Sequence, residues 1–190
     1  MKLAGLGSDT FVYKLIEAFI IAACVEEFTK FFFANKMIGR IESYKKIDCM
    51  VIFGAVGLGY EIIESLMCGI TNPLAAVVRG AFVAHVMYQF IMVTHYFEWK
   101  KAEQEGDIRR ANTQRFLTFF VPIMIHGMND WLCNMTTGVD TRAEVIQSAA
   151  AILGVMVLNV VVLIVGLVKA KRSIQDEGVV TTVNTENINA

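Results

Sequence analysis

The sequence predicts an all-α fold, a polytopic membrane helix bundle of about five transmembrane helices. Three observations point there. The 190 residues are 55% hydrophobic and include only two prolines, and a mean hydropathy of +0.52 is high for a soluble domain. About five stretches of roughly 20 mostly apolar residues follow one another, each long enough to cross a bilayer as a helix. Cations gather in alternate connecting loops, the pattern of a chain that crosses back and forth. The net charge of −1 gives no reason to expect a nucleic-acid partner.

The first span lies near 10–34, "TFVYKLIEAFIIAACVEEFTKFFFA". It is too long and too charged for a signal-peptide core, and no small-residue cleavage site follows it, so it reads as a mature helix. The second, near 47–70, contains "GAVGLG" at 54–59. Inside a span such glycines serve close helix packing rather than a phosphate loop. The third lies near 74–97 and the fourth near 114–135. The fifth, near 143–168, has only Asn159 as a polar group in its interior and reads as a plain lipid-facing or scaffold helix.

Lys36, Arg40, Lys45 and Lys46 follow the first span. Lys100, Lys101, Arg109, Arg110 and Arg115 follow the third, and Lys169, Lys171 and Arg172 follow the fifth. The remaining two loops carry at most Arg142. The positive-inside rule therefore puts the N-terminus outside and the C-terminus in the cytoplasm. Cys24, Cys49, Cys68 and Cys133 fall in spans or at their ends without CxxC spacing, and read as small apolar packers. No internal repeat is present. The expected organisation is one membrane domain over 1–172 and a polar, disordered cytoplasmic tail over 173–190.

The informative residues are the ionisable ones inside the spans. Each costs roughly 2.5–3.5 kcal/mol at the bilayer centre, yet four spans carry them. The first has Glu26, Glu27 and Lys30; the second, Glu61 and Glu64; the third, Arg79 and His85; the fourth, His126 and Asp130. Helical spacing sorts them. Glu26 and Lys30, Tyr60 and Glu64, and His126 and Asp130 are each four apart and share a face. Glu26 and Glu27 differ by about 100°, so one can face a site while the other packs at a helix seam. At ~1.5 Å per residue, His85 and His126 each lie about 18 Å from the cytoplasmic ends of their spans, and Glu26 about 12 Å, whereas Glu64 comes out nearer the outer side and fits that depth less well. One shared polar cavity is the economical arrangement. Glu61 reads as a structural contact or cavity rim, Arg79 as divided between site and head-group snorkelling, and His95 as an interfacial bystander.

These residues resemble a known family. "EEFTK" (Glu26, Glu27, Lys30) matches the EExxK motif of the PrsW-type intramembrane proteases. "GLGYEIIE" resembles their second motif, with Tyr60 four before Glu64. "RGAFVAH" resembles the third, with Arg79 and His85, and "HGMND" matches the fourth, HxxxD, with His126 and Asp130. The motifs occur in the family's order, each on its own span, over roughly 20–135. The related type II CAAX prenyl endopeptidases have EExxxR and a histidine in the second motif. Here position 31 is Phe and the second motif ends in Glu64, so the PrsW branch fits better.

The resemblance implies a glutamate-based intramembrane endopeptidase acting on a membrane-anchored protein or peptide within the lipid bilayer. Glu26, Glu27, Glu64, His85, His126 and Asp130 would be catalytic, with Lys30, Arg79 and Tyr60 in support. A carboxylate in a low-dielectric cavity is suited to take a proton from water, and histidines can donate to the oxyanion. No cofactor is expected. Zinc is the rival within the enzyme class, disfavoured because HExxH-type local spacing is missing. Outside it stand a proton or ion transporter and a module that binds membrane peptides without cutting them.

Overall fold

A computed structural model describes residues 11–71, 83–134, 142–176 and 178–181. The chain opens with one continuous helix: α1 (Phe11–Ile16), a π-helical stretch (Glu17–Cys24) and α2 (Val25–Ile38). After β1 (Ser43–Lys45) come α3 (Lys46–Thr71), α4 (Ala84–Glu105), α5 (Ile108–Asn134) and α6 (Arg142–Ile174), then β2 (Val179–Thr181). The all-α bundle expected from the sequence is thus observed. Three described helices are long and apolar enough to cross a membrane on length and composition alone, within Lys46–Met67, Ile108–Cys133 and Ile146–Ile174. The early part of the expected third span, with Arg79, lies outside the described residues.

Burial runs opposite to apolarity. α6 holds the most apolar window of the three, and only 22% of that window is buried. α4 is far more polar along its length, yet it packs against α3, α5 and α6 and buries His85, Gln89, Tyr88, Tyr96 and Trp99. In water a helix of this composition would sit outside. In a bilayer, lipid tails compete with apolar side chains for nothing, so polar groups are what must be withdrawn into the bundle. Below the site, Phe53, Met92, Val93, Tyr96 and Phe97 form a closed apolar cluster between α3 and α4.

Two features set the depth and rotation of the site. The π-helical stretch ends immediately before Val25, and its wide turns shift the phase of the helix that presents Glu26 and Glu27. Gly57 lets α3 approach α4: a Cβ there would meet the His85 carbonyl oxygen at 2.7 Å and Gln89 Cγ at 2.9 Å. Close helix packing, the reading given to "GAVGLG", is what this glycine does.

The tail differs from its expected disorder over 173–181. Ser173 and Ile174 complete α6, and Val179–Thr181 pairs antiparallel with β1, Tyr44 opposite Val180. Val180 is buried among Tyr44, Phe97 and their neighbours while Val179 and Thr181 face out. A lone alternation of three residues in a polar tail is too short to show as periodicity. Lys46 and Asp176, at 3.6 Å, join the same end of the molecule. Residues 182–190 lie outside the described residues.

Gly57→Ala should lower the thermal midpoint of the detergent-solubilised protein, by an amount equivalent to about 1–3 kcal/mol, because a backbone oxygen cannot give way cheaply. Unaltered melting would sink the close-approach account.

Candidate active site

α2 supplies the centre of the site. Lys30, fully buried, directs its ammonium to Glu27 Oε1 at 2.8 Å, Glu26 Oε2 at 3.2 Å and His85 Nδ1 at 2.7 Å. All three of its donors are thereby used, and the ring of Tyr60 lies 4.8 Å away across the cation. The two glutamates divide as the rotation predicts. Glu27 is wholly buried at the helix seam; His126 Nδ1 meets its Oε1 at 2.9 Å and Gln89 Nε2 donates to its Oε2 at 2.7 Å. The Glu26 side chain stays 29% exposed, with the lysine at 3.2 Å and His126 Nε2 at 4.0 Å.

α4 supplies His85. Its Nδ1 accepts from Lys30, so Nε2 carries the hydrogen and donates it to Glu64 on α3. Glu64 therefore reaches the site despite its position nearer the other end of its span. The His85 backbone N–H donates to Glu61 Oε2 at 3.1 Å. Glu61 thus takes up one of the amides that the start of a helix leaves unpaired, the structural reading expected of it. The chain enters α4 through Val83 at φ 42°, a strained conformation for a β-branched residue.

α5 supplies His126. Its ring stacks on Tyr88, centroids 5.2 Å apart, and meets His85 edge-on at 5.0 Å. Nε2 lies 3.3 Å from Asp130 Oδ2 and 4.0 Å from Glu26 Oε2. It is hydrogen-bonded to neither, although buried. His126 and Asp130 therefore share a face, as their spacing predicts, at ion-pair distance only.

Four helical segments thus bring Glu26, Glu27, Lys30, Tyr60, Glu64, His85, His126 and Asp130 together. Arg79 lies outside the described residues. His95 bonds Gln114 at 2.9 Å, away from the cluster. Gln89 and Asn129 escaped the sequence reading, and Asn159 was read there as part of a plain scaffold helix. Gln89 sits one turn beyond His85 on the same face, a spacing that could have flagged it. Asn159 of α6 donates to Asn129 Oδ1 at 3.2 Å, so the fifth span does contribute to the polar interior. A small cavity of ≈ 20 Å³, room for about one water, is lined by Glu61, His85, Tyr88, His126, Asn129 and Asn159.

Glu26, His85 and His126 each offer a ligand atom within 4.8 Å of the others, and two histidines with a glutamate are a donor set that zinc accepts. Against this, both ring nitrogens of His85 are engaged. The Lys30 ammonium already occupies the cation's place between His85 and Glu26.

Comparison with known proteins gives concordant matches. The model of a family described as PrsW family intramembrane metalloprotease matches residues 2–167. A protein named Protease PrsW from Geobacillus kaustophilus (strain HTA426) is 25% identical over 120 residues, covering 61% of this chain and 51% of the relative. A second Protease PrsW, from Oceanobacillus iheyensis (strain DSM 14371 / CIP 107618 / JCM 11309 / KCTC 3954 / HTE831), is 30% identical over 121 residues, 62% of this chain and 54% of the relative. The chain spans about half the length of the curated relatives it matches. No solved structure matches it.

Lys30→Met leaves Glu27 a buried carboxylate without its cation and should destabilise the fold by about 3–5 kcal/mol. Adding Glu27→Gln to Lys30→Met should recover a large part of that loss. Additive losses in a double-mutant cycle of detergent melting would refute the coupling. Gln89→Leu, which strips one bond from Glu27, should cost about 1–3 kcal/mol in the same assay.

Proposed function

The chain belongs to the PrsW protease family, and from that premise we propose that it is an intramembrane endopeptidase that hydrolyses a peptide bond in a membrane-anchored protein or peptide. It is an integral membrane protein, and the site lies where its polar groups are withdrawn from lipid. The observation that carries the proposal is the asymmetry of the glutamate pair. Glu27 has both carboxylate oxygens engaged, by Lys30, His126 and Gln89, whereas Glu26 is partly exposed beside a fixed ammonium, 4.0 Å from His126 Nε2. A gap of 4.0 Å between two polar atoms is what a single bridging water spans.

Glu26 is accordingly the general base. It takes a proton from that water while the water oxygen attacks the scissile carbonyl carbon. The carbonyl oxygen gains negative charge as the tetrahedral intermediate forms, next to the positive charge of Lys30 and the ring of His126. Collapse breaks the carbon–nitrogen bond, and the proton held by Glu26 passes to the leaving nitrogen, giving a carboxylic acid and an amine. Glu27 and Gln89 hold Lys30 and His126 in place, and Asp130 flanks the His126 ring. His85 has no ring nitrogen left over, so of the two histidines only His126 stands to act at the reacting centre, while His85 and Glu64 anchor the lysine.

The family's description implies a metal. The residues do not fit one as arranged: His85 presents no open nitrogen, and a divalent ion near Glu26 would sit against a buried ammonium that has no other place to go. The reading is therefore metal-independent, and no step runs through a metal. The loop holding Lys36, Arg40 and Lys45 and the segment after α6 meet in the β1–β2 pair, which supports their common side. Their basic residues support a cytoplasmic one.

Glu26→Gln should reduce cleavage of a single-span peptide by the purified protein at least ~100-fold, with membrane insertion and melting unaltered. His126→Ala should also abolish cleavage. Full proteolysis by both variants would remove the site assignment. Prolonged chelation should leave the wild-type rate unchanged; one equivalent of zinc in the purified protein, lost in His126→Ala, would overturn the metal-free reading.

A further inference from the structure

α6 contributes a polar group to a centre otherwise built from the first four spans. Asn159 is 8% exposed, and its amide nitrogen donates to Asn129 Oδ1. Its own carbonyl oxygen, Oδ1, is buried without a hydrogen-bond partner. Among the described residues His126 Nε2 also has no hydrogen-bond partner, its near contacts being the ion-pair distances to Asp130 Oδ2 at 3.3 Å and Glu26 Oε2 at 4.0 Å. Both residues line the ≈ 20 Å³ cavity. A buried polar atom left unsatisfied costs about 1–3 kcal/mol. Two of them bordering a polar space sized for one water are the setting in which a buried water is retained.

Interhelical asparagine pairs also serve packing alone. Packing accounts for the Asn159–Asn129 bond. It does not account for an Oδ1 buried without a partner on a residue that also lines a polar cavity.

We propose that Asn159 seats the hydrolytic water, holding it through Oδ1 while His126 Nε2 holds it from the other side. Glu26 is not among the residues that line the cavity; its link to the water runs through His126, whose Nε2 lies 4.0 Å from Glu26 Oε2. A water bonded at His126 Nε2 can point one hydrogen at Asn159 Oδ1 and the other at Glu26 Oε2. One lone pair then faces the substrate carbonyl. On proton transfer the hydrogen aimed at Glu26 leaves, the hydrogen on Asn159 stays with the oxygen, and that oxygen becomes part of the new carboxyl group. Asn159 neither gains nor loses a proton; it touches the reacting water and fixes its orientation. Asn129, through the Asn159 amide nitrogen, sets which way Oδ1 points. Both belong to the machinery, Asn159 as a catalytic residue and Asn129 as a positioning residue.

This inference rests on the proteolytic reading, so its test has one arm that does not. In the full-length protein in detergent micelles, the ¹⁵N resonance of His126 Nε2, assigned with His126→Gln, reports the water directly. Asn159→Leu should move it, Asn159→Ser should return it part of the way, and the lipid-facing control Val161→Leu should leave it alone. In the second arm, cleavage of a single-span peptide should lose turnover at least ~10-fold in Asn159→Leu with KM unchanged, because misplacement of a reacting group acts on the chemical step. Asn159→Ser should recover part of that loss. An unmoved His126 signal in the Asn159 variants overturns the water seat whether or not the protein is a protease. Wild-type turnover in Asn159→Leu overturns its catalytic role while leaving the protease reading intact. A wild-type protein that cleaves nothing, with a His126 signal that does move, overturns the proteolytic reading alone. If Asn159→Leu does not fold, Asn159→Ser carries both arms.

Discussion

A lysine ammonium with no water around it must find its acceptors inside the protein, and in this molecule that requirement organises the site. Lys30 is fully buried and takes one acceptor from each of Glu26, Glu27 and His85. Two come from its own helix and one from α4, so the ammonium pins α2 to α4 at a defined rotation. Glu27 passes the constraint on to His126 of α5 and to Gln89. His85 passes it to Glu64 of α3. Breaking a buried ion pair by removing one partner is far more damaging than never having built it, so each of these groups depends on the others being present. A site of this kind is rigid because it is costly to half-make.

The bilayer explains why such a network sits at the centre instead of at an edge. Lipid-facing positions accept any apolar side chain, and α6 meets that demand with a long run of Val, Leu and Ile. α4 meets the opposite demand. Its polar and aromatic side chains have partners on three neighbouring helices, and Gly57 brings α3 close enough to reach them. The same inversion brings Asn159 inward: on a helix with a largely exposed apolar face, this buried amide is turned to Asn129. Polarity in these helices therefore marks the inside of the molecule.

Much of this was legible in the residues alone. The all-α membrane bundle followed from hydropathy and loop charge. The pairing of Glu26 with Lys30 and of His126 with Asp130 followed from four-residue spacing, and the split between the two glutamates from the 100° between neighbours on a helix. Glu64 was harder, because depth along a span was reckoned from uncertain ends. Gln89 was missed because an amide in a span carries no charge to draw notice. Asn159 was noticed and set aside, since a single polar residue in an apolar helix has no partner in its own sequence neighbourhood. Val180 was hidden in a polar tail, where an alternation of three residues makes no pattern.

The sequence by itself determined what had to be buried together. Ionisable groups within apolar spans have no stable place except one another's company, and helical periodicity fixes which of them share a face. It could not determine who meets whom across helices, because rotation and depth of one helix against another depend on side-chain shape at the seams. Only the tertiary structure decided that Glu27 is closed off and Glu26 left open, that Lys30 sits between His85 and Glu26, and that α6 reaches the centre through Asn159. Each of those outcomes is set by distances of a few ångströms between residues 30 to 99 positions apart in the chain, a scale on which spacing within one helix carries no information.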